Sequence, residues 1–276
     1  VASLINRLKP RRIGFEAKGL TYEIYRRLKG LLRGKRLIPL PDDINRIRAR
    51  KNAGELKLIR RAVGLAAVGF NAAVNCIAAG IRECDAALNI EMEMRKNGAE
   101  GLSFDIIVAS GIRAALPHGK ASLKRIKKTE TVIVDLGARY RGYHSDETCT
   151  FIVGKPGREQ KRVYQIVKDA HDKAIEAVRP GVKASYIDSV ARGFIKDAGY
   201  GKYFGHGTGH GVGLAIHEWP NISPYNDDVL EEAMVFTIEP GIYIHGWGGV
   251  RIEDMVLVKK DGCEVLTEMS KEMVIL

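Results

Sequence analysis

The 276-residue sequence is poor in cysteine: Cys76, Cys84, Cys149 and Cys263 are all it has, and no two stand at CxxC spacing. That spacing excludes a zinc ribbon or a disulfide framework and fits reduced thiols used for packing. Long apolar runs are also missing, since no uninterrupted stretch approaches the ~18 residues that a membrane helix needs. The opening "VASLINRLKP" has no apolar core followed by a small-residue cleavage site, so no secretory signal is read there, and a cytoplasmic location is the expectation. Aromatic residues make up 7% of the chain. They do not interleave with its basic runs, which removes the stacking platform used for single-stranded nucleic acid.

Charge of one sign is in excess. Lys and Arg number 44 against 33 Asp and Glu, a net charge of +11, and most of the excess lies in the first sixty residues, in runs such as "RRLKGLLRGKR" (26–36) and "RIRARK" (46–51). We read these as the solvated face of a small N-terminal segment, not as a nucleic-acid footprint. A hydrophobic share of 45% with 28% charged residues is that of a soluble globular protein. The length allows one large domain or two smaller ones.

Residues 1–51 read as a short or truncated α/β segment. "RRIGFEA" suits a strand, "TYEIYRRLKGLLRG" a helix ended by glycine, and "RLIPLPDDINRIRARK" a connection into the next helix. A repeat then follows over residues 52–276. "GELKLIRRAVGLAAVGFNAAVNCIAAG" predicts a helix stopping at Gly80, and "ECDAALNIEMEMRKNG" another stopping at Gly98, before a set of strands. The order returns in "GREQKRVYQIVKDAHDKAIEAVRPG", stopping at Gly181, and "SYIDSVARGFIKDAG", stopping at Gly199, again before strands. The implied fold class is α+β, with two pseudo-symmetric α-α-β halves and antiparallel sheet.

Glycine, by contrast, is plentiful, and it alternates with histidine in "HGTGHGVGLAIHE" (206–218). Histidines four apart would suit a zinc-binding helix. Gly207, Gly209, Gly211 and Gly213 oppose a helix by about 1 kcal/mol each, so the stretch reads as strand or loop with backbone passing close to something. Each half also ends in a hairpin carrying acids. In "TVIVDLGARYRGYHSDETCTFIV" (131–153), a turn centred on Tyr140–Arg141 sets Asp135 opposite Asp146. In "MVFTIEPGIYIHGWGGVRIEDMVLV" (234–258), a turn centred on Gly246 sets Glu239 opposite Glu253. Four converging carboxylates repel one another or take up protons, and two divalent cations with a neutral imidazole would balance them.

The ordered runs "SFDIIVASGIRAALPHG" (103–119), "VDLGARYRGYHSDETCTF", "HGTGHGVGLAIHEWP", "TIEPGIY" and "GVRIED" resemble the motifs of the pita-bread metallopeptidases, in the Xaa-Pro dipeptidase (prolidase) and Xaa-Pro aminopeptidase branch. The resemblance covers residues 52 to 276 and implies the creatinase/aminopeptidase-like fold for this catalytic domain. It implies five metal ligands: Asp146 and Glu253 bridging two ions, Asp135 holding one, His210 with Glu239 holding the other. It also places His118 and His217 on the substrate and the tetrahedral intermediate, His206 at the substrate pocket, and Tyr243 and Arg251 in support of the metal site. His144, His171 and His245 are read as satisfied buried histidines.

The implied reaction is hydrolysis of the Xaa-Pro bond at the N-terminus of dipeptides or short peptides by a metal-bridging hydroxide, with Glu239 as proton shuttle. Mn²⁺ or Co²⁺ suits the ligand set best, with Zn²⁺ and Fe²⁺ as further candidates. Short proline-containing peptides are the expected partners, alongside a homodimer; no membrane or nucleic-acid partner is expected. The family often has Asn where Arg113 stands and Arg where Cys149 stands, near the cleft or behind a ligand. Two other readings compete: a methionine aminopeptidase of the same fold, and a non-catalytic peptide- or protein-binding module on this scaffold.

Overall fold

Thr21 accepts the amide of Ile24 on its side-chain oxygen and so starts a helix where the sequence predicts one. That helix belongs to the first of two units, Val1–Arg48 and Ala49–Leu276, seen in a computed structural model that describes residues 1–40 and 43–276. The unit runs α1 (Ala2–Leu8), β1 (Arg12–Glu16), α2 (Tyr22–Leu31) and β2 (Arg36–Leu40), and α3 (Asp43–Ala49) leads out of it. Strands β1 and β2 pair in parallel, from Arg12 against Arg36 to Glu16 against Leu40. Positions 41 and 42 of the expected connection lie outside the described residues.

The second unit opens on a capping box. Asn52 accepts the amide of Glu55, whose carboxylate accepts the amide of Asn52 in return, and α4 (Ala53–Cys76) follows. Next come α5 (Glu83–Lys96), β3 (Gly101–Leu102), β4 (Ile107–Ser110), β5 (Thr131–Leu136), β6 (Ala138–Tyr140), β7 (Tyr143–His144) and β8 (Glu147–Ile152). The second half holds α6 (Arg158–Ala177), α7 (Ala184–Asp197), β9 (Gly209–Gly211), β10 (Glu218–Ile222), β11 (Val235–Ile238), β12 (Gly241–Ile244), β13 (Gly248–Arg251) and β14 (Asp254–Lys259). The chain closes with β15 (Gly262–Val265) and β16 (Val274–Ile275).

Buried residues of α4 and α5, among them Phe70, Ala73, Ile90 and Met94, pack with Val132, Val134 and Phe151 of the sheet ordered β16-β8-β5-β4. In the second half, Ala184, Ile187 and Ala191 of α7 pack with Phe236, Ile238 and Val256 of the sheet ordered β10-β9-β11-β14-β15. Val163 and Val167 of α6 pack with Ile242 and Val250 of the β12-β13 ribbon.

The two halves repeat in detail. Helix α7 begins 101 residues after α5 (184 − 83) and has the same 14-residue length. The four glycines expected to close helices all have left-handed backbone: φ is 99° at Gly80, 106° at Gly98, 87° at Gly181 and 90° at Gly199. The Gly80 amide donates to Ile126 O at 2.8 Å and the Gly181 amide to Leu230 O at 2.9 Å. The bridge Arg82–Arg125 recurs as Lys183–Val229. Helices α4 and α6 stop four residues before their glycines, at Cys76 and Ala177, because buried Ile77 and Val178 turn to extended backbone. Among the described residues of the second unit, the sheets are antiparallel as expected except where β16 lies parallel to β8.

One expected register is corrected. The first hairpin pairs Tyr140 with Tyr143 and Asp135 with Thr148, so its turn is centred on Arg141–Gly142 and not on Tyr140–Arg141. Both turn residues have positive φ, 47° and 82°, as a two-residue type I′ turn requires, and glycine takes the second place. Asp135 therefore faces Thr148 in the ladder, and Asp146 precedes β8. Since side chains alternate along a strand, a slip of two keeps Asp146 on the expected side. The second hairpin has the expected centre: Gly241 pairs with Arg251 and Ile238 with Asp254, both about Gly246.

The closing glycines generate a prediction with a control of opposite sign. Gly181→Ala should lower the unfolding free energy by about 1–2 kcal/mol, the cost of left-handed backbone, since nothing near the added methyl obstructs it. Gly193→Ala in α7, equally unobstructed, should raise it by up to about 1 kcal/mol. Urea unfolding of both variants checks the pair.

Candidate metal centre

Strand β9 is wedged between β10 and β11, and its sequence follows from that squeeze. A Cβ on Gly209 would lie 1.8 Å from Thr237 O, and one on Gly211 would lie 2.3 Å from Trp219 O. Only glycine fits either position, so the Gly-His alternation is a strand under close approach, as expected. Between the two glycines, the side chain of His210 enters a cavity of about 670 Å³.

Asp135, Asp146, Glu239 and Glu253 all line that cavity with His210. Ligand atoms of Asp146, His210 and Glu253 lie within 4.8 Å of one another. Nε2 of His210 is 3.4 Å from Asp146 Oδ2 and 3.5 Å from Glu239 Oε1. Thr148 donates its hydroxyl to Glu253 Oε2 at 2.6 Å. Glu239 and Glu253 occupy the break between the β11/β14 ladder and the β12/β13 ribbon, where their amides leave the hairpin for Thr208 O and Thr148 O.

Arg251 ties the support together. Its guanidinium donates to Asp135 Oδ2 at 2.7 Å, to Thr148 Oγ1 at 3.1 Å, to Pro117 O at 3.1 Å and to Tyr243 OH at 2.9 Å. His206 Nδ1 lies 2.7 Å from Gly207 O, which assigns its proton to that nitrogen and leaves Nε2 to accept from Tyr243 OH at 2.8 Å. Burial pushes the Tyr243 phenol up to about 12 and holds the His206 imidazolium below its ordinary range. His217 packs edge-on against His210, ring centres 4.3 Å apart, and is shifted down by burial. His118 lines the same cavity from the first half.

Three features fit divalent metal. Nδ1 of His210 lies 3.1 Å from Gly211 O, so the ring proton belongs there and the Nε2 lone pair faces two carboxylates with nothing to share. Asp135 Oδ1 is buried without a hydrogen-bond partner. Burial, together with repulsion from neighbouring carboxylates, pushes Asp146 and Glu253 well above the usual carboxylate range, and Glu239 is raised by burial. Cations among the five donors would relieve all three, and oxygen-rich ligands with one imidazole suit hard or borderline ions.

Other expected residues sit elsewhere. His144 is buried against Gly213 O, and His171 is buried between Asp172 and Asp254. His245 is exposed in the β12–β13 turn and is not the buried histidine expected, because the turn projects it outward. Arg113 is not in the cavity wall; it donates to Glu83 at 3.0 Å and to Lys120 O at 2.6 Å, bracing the loop that carries His118. Cys149 is buried, its Sγ 3.7 Å from Lys271 Nζ.

Residues missed in the sequence are mainly braces. Asp188 accepts from Thr208 N and Oγ1 and from Arg192, which also donates to His206 O at 2.6 Å. The Asp188–Arg192 pair has helical i,i+4 spacing and was legible; its loop partners were not. Thr148 shared a strand face with Asp146 by the two-residue period and could have been found that way.

Two α-α-β halves that close on four carboxylates and a histidine define a pita-bread metallohydrolase. Residues 57–260 match Metallopeptidase family M24, and residues 1–50 match the Creatinase/Prolidase N-terminal domain. The chain belongs to metallopeptidase family M24, whose members depend on a dinuclear metal centre. It is 46% identical over 262 residues to a Xaa-Pro dipeptidase of Pyrococcus horikoshii, covering 95% of this chain and 74% of that protein. A Xaa-Pro dipeptidase from Bacillus anthracis superposes with a TM-score of 0.97 at 42% identity, over 100% of this chain and 77% of that one. An X-Pro aminopeptidase from Thermotoga maritima superposes at 0.94 with 41% identity, over 100% and 78%. No helix among the described residues is long and apolar enough to cross a membrane.

The raised carboxylates predict a pH effect. Their folded-state values lie above their unfolded ones, so in metal-stripped protein their contribution favours the fold at acid pH and is lost as pH rises out of the ordinary carboxylate range. The gap between metal-loaded and metal-free stability should therefore widen from pH 5 to pH 8. Urea midpoints with and without Mn²⁺ measure it, and a constant gap would show that the site carboxylates are not coupled.

Proposed function

We propose that this chain is a dinuclear-metal Xaa-Pro peptidase that hydrolyses the bond before proline at the N-terminus of dipeptides or short peptides. The convergence of Asp146, His210 and Glu253, with Asp135 and Glu239 in the same wall, carries the reading. In it, residues 52–276 form the catalytic domain and residues 1–51 an N-terminal α/β segment. Asp146 and Glu253 would be shared by the two ions, with Asp135 holding one and His210 with Glu239 the other. Mn²⁺ or Co²⁺ is the proposed occupant. When bound, the two ions supply a water nucleophile at neutral pH and polarise the scissile carbonyl.

The chain's own residues do the rest. Glu239, raised by burial, is suited to take the proton of the attacking water and hand it to the leaving nitrogen. The prolyl nitrogen, like any amide nitrogen that leaves as an amine, must gain that proton as the C–N bond breaks. His118 and His217 face the same space and donate to the developing oxyanion. Phe104, Ile107, Pro117 and Ile216 give the cavity an apolar wall suited to a proline ring. The Tyr243–His206 and Tyr243–Arg251 bonds keep Asp135 and the pocket histidine in place.

Metal-stripped protein should be inactive on a Xaa-Pro dipeptide and a Xaa-Pro-extended tripeptide and recover on adding Mn²⁺ or Co²⁺. Two bound ions with neither substrate cleaved would overturn the specificity and leave the metal centre standing. Asp146→Ala or Glu253→Ala should abolish turnover; near-normal rates in a folded variant would exclude the bridge assignment. His118→Ala should lower kcat by about 10²-fold with metal content unchanged, and loss of metal would place His118 among the ligands.

A further inference from the structure

Each of the two proposed bridging ligands is followed in sequence by another acid: Glu147 after Asp146, and Asp254 after Glu253. Successive strand residues point to opposite sides, so the second acids face away from the metal cavity. Both are buried, and both meet the ammonium of Lys271. Lys271 pairs closely with Glu147 Oε1 and lies 3.2 Å from Asp254 Oδ1, with its side chain 8% exposed.

These acids lie on different sheets. Glu147 opens β8 and Asp254 opens β14; among the described residues the backbone pairing of that seam is the isolated bridge Thr148–Glu253, joined by the Thr148 hydroxyl on Glu253 and the Asp146 amide on Met255 Sδ. The C-terminal stretch crosses the same seam. Strand β15 pairs with β14, β16 pairs with β8, and Lys271 lies in the crossing between them. The crossing is fastened along its length. Thr267 bonds Asp254 and accepts the amide of Met255, the Met269 amide donates to Glu147 at 3.2 Å, and Tyr164 donates to Lys271 O at 3.1 Å.

We propose that Lys271 is a positioning residue for the metal centre: a clasp on the reverse side of the seam that holds Asp146 and Glu253 at bridging distance before metal arrives. The inference rests on the bridge assignment above. Without Lys271 the strands still meet at the site through the Thr148–Glu253 bridge, the Thr148 hydroxyl on Glu253 and the Asp146 amide on Met255 Sδ, but the cation that joins the acids next to Asp146 and Glu253 is gone, and the repulsion between Asp146 and Glu253 opposes their approach. With it, one cation binds the two neighbouring acids from behind and sets the spacing that two ions would otherwise have to impose.

Titration of EDTA-stripped full chain with Mn²⁺ by calorimetry tests the clasp without reference to turnover. Lys271→Met should weaken Mn²⁺ binding by about tenfold or more, the usual effect of losing an outer-shell partner, while Lys271→Arg should restore it. Ile90→Val, a core truncation remote from the seam, should leave affinity unchanged; an equal loss there would reduce the effect to general destabilisation and overturn the clasp. If Lys271→Met does not fold, Glu147→Gln decides, since it removes the β8 anchor without stranding a buried carboxylate. Weakened binding supports the clasp, and wild-type affinity overturns it. Wild-type protein that takes up no Mn²⁺ would instead overturn the metal centre itself. Two ions bound equally tightly by wild type and by folded Lys271→Met would overturn the clasp alone.

Discussion

The second unit is organised around an electrostatic conflict: Asp135, Asp146, Glu239 and Glu253 are held in one cavity, with the guanidinium of Arg251 bonded to only the first. Burial and like charges in a low-dielectric setting are costly, and the raised titration of Asp146 and Glu253, by burial first and by repulsion from their neighbours second, is the local expression of that cost. A conflict of this kind persists only where the surrounding scaffold over-determines the geometry. The scaffold does so on every side: β9 is locked between neighbours too close for a side chain at Gly209 or Gly211, the Arg251 guanidinium makes four hydrogen bonds, and the cavity loops are tied to Asp188 and Glu83.

Repetition explains where the acids converge. Each half delivers two helices, a left-handed glycine after each, and a hairpin that enters the same seam. Asp135 is the penultimate residue of the rising strand of the first hairpin and Glu239 directly follows that of the second, so the ends of the two rising strands supply one carboxylate from each half. The returning strands break the symmetry. Glu239 and Glu253 face each other in the break between two ladders, while Asp135 stays in its ladder opposite Thr148, whose hydroxyl bonds Glu253. The first half instead supplies Asp146, two residues earlier, from outside the ladder.

That asymmetry separates what was legible in the sequence from what was not. Helices and closing glycines follow from local chemistry, apolar spacing and left-handed backbone, while matching Glu239 to Glu253 gives the second hairpin's centre at Gly246. The first hairpin was misjudged by two residues because its centre was placed by matching the acids to each other. Turn chemistry is the stronger constraint, and Arg141–Gly142 satisfies it. The four acids and His210 were still chosen, since a slip of two exchanges neighbours without changing faces. The braces were not legible, because Arg192 to His206 O and Lys271 to Glu147 and Asp254 join segments whose approach is settled only by the sheets.

The site lies at breaks in the hydrogen-bond ladders, and this placement has a physical reason. A residue inside a regular ladder has its side chain fixed perpendicular to the sheet, and facing residues on one side cannot all point at one spot. Glu239 and Glu253 stand where their hairpin passes from one sheet to the next, Asp146 stands just outside β8, and His210 lies on a three-residue strand beside a register shift in β10. Each break frees backbone to turn a ligand inward, and each leaves an amide that must be satisfied elsewhere. The Glu253 amide is satisfied across the seam by Thr148 O, and the Glu239 amide within its own half by Thr208 O, just before β9. The interruptions that aim the carboxylates therefore also stitch the sheets together, and the same bonds serve convergence and stability.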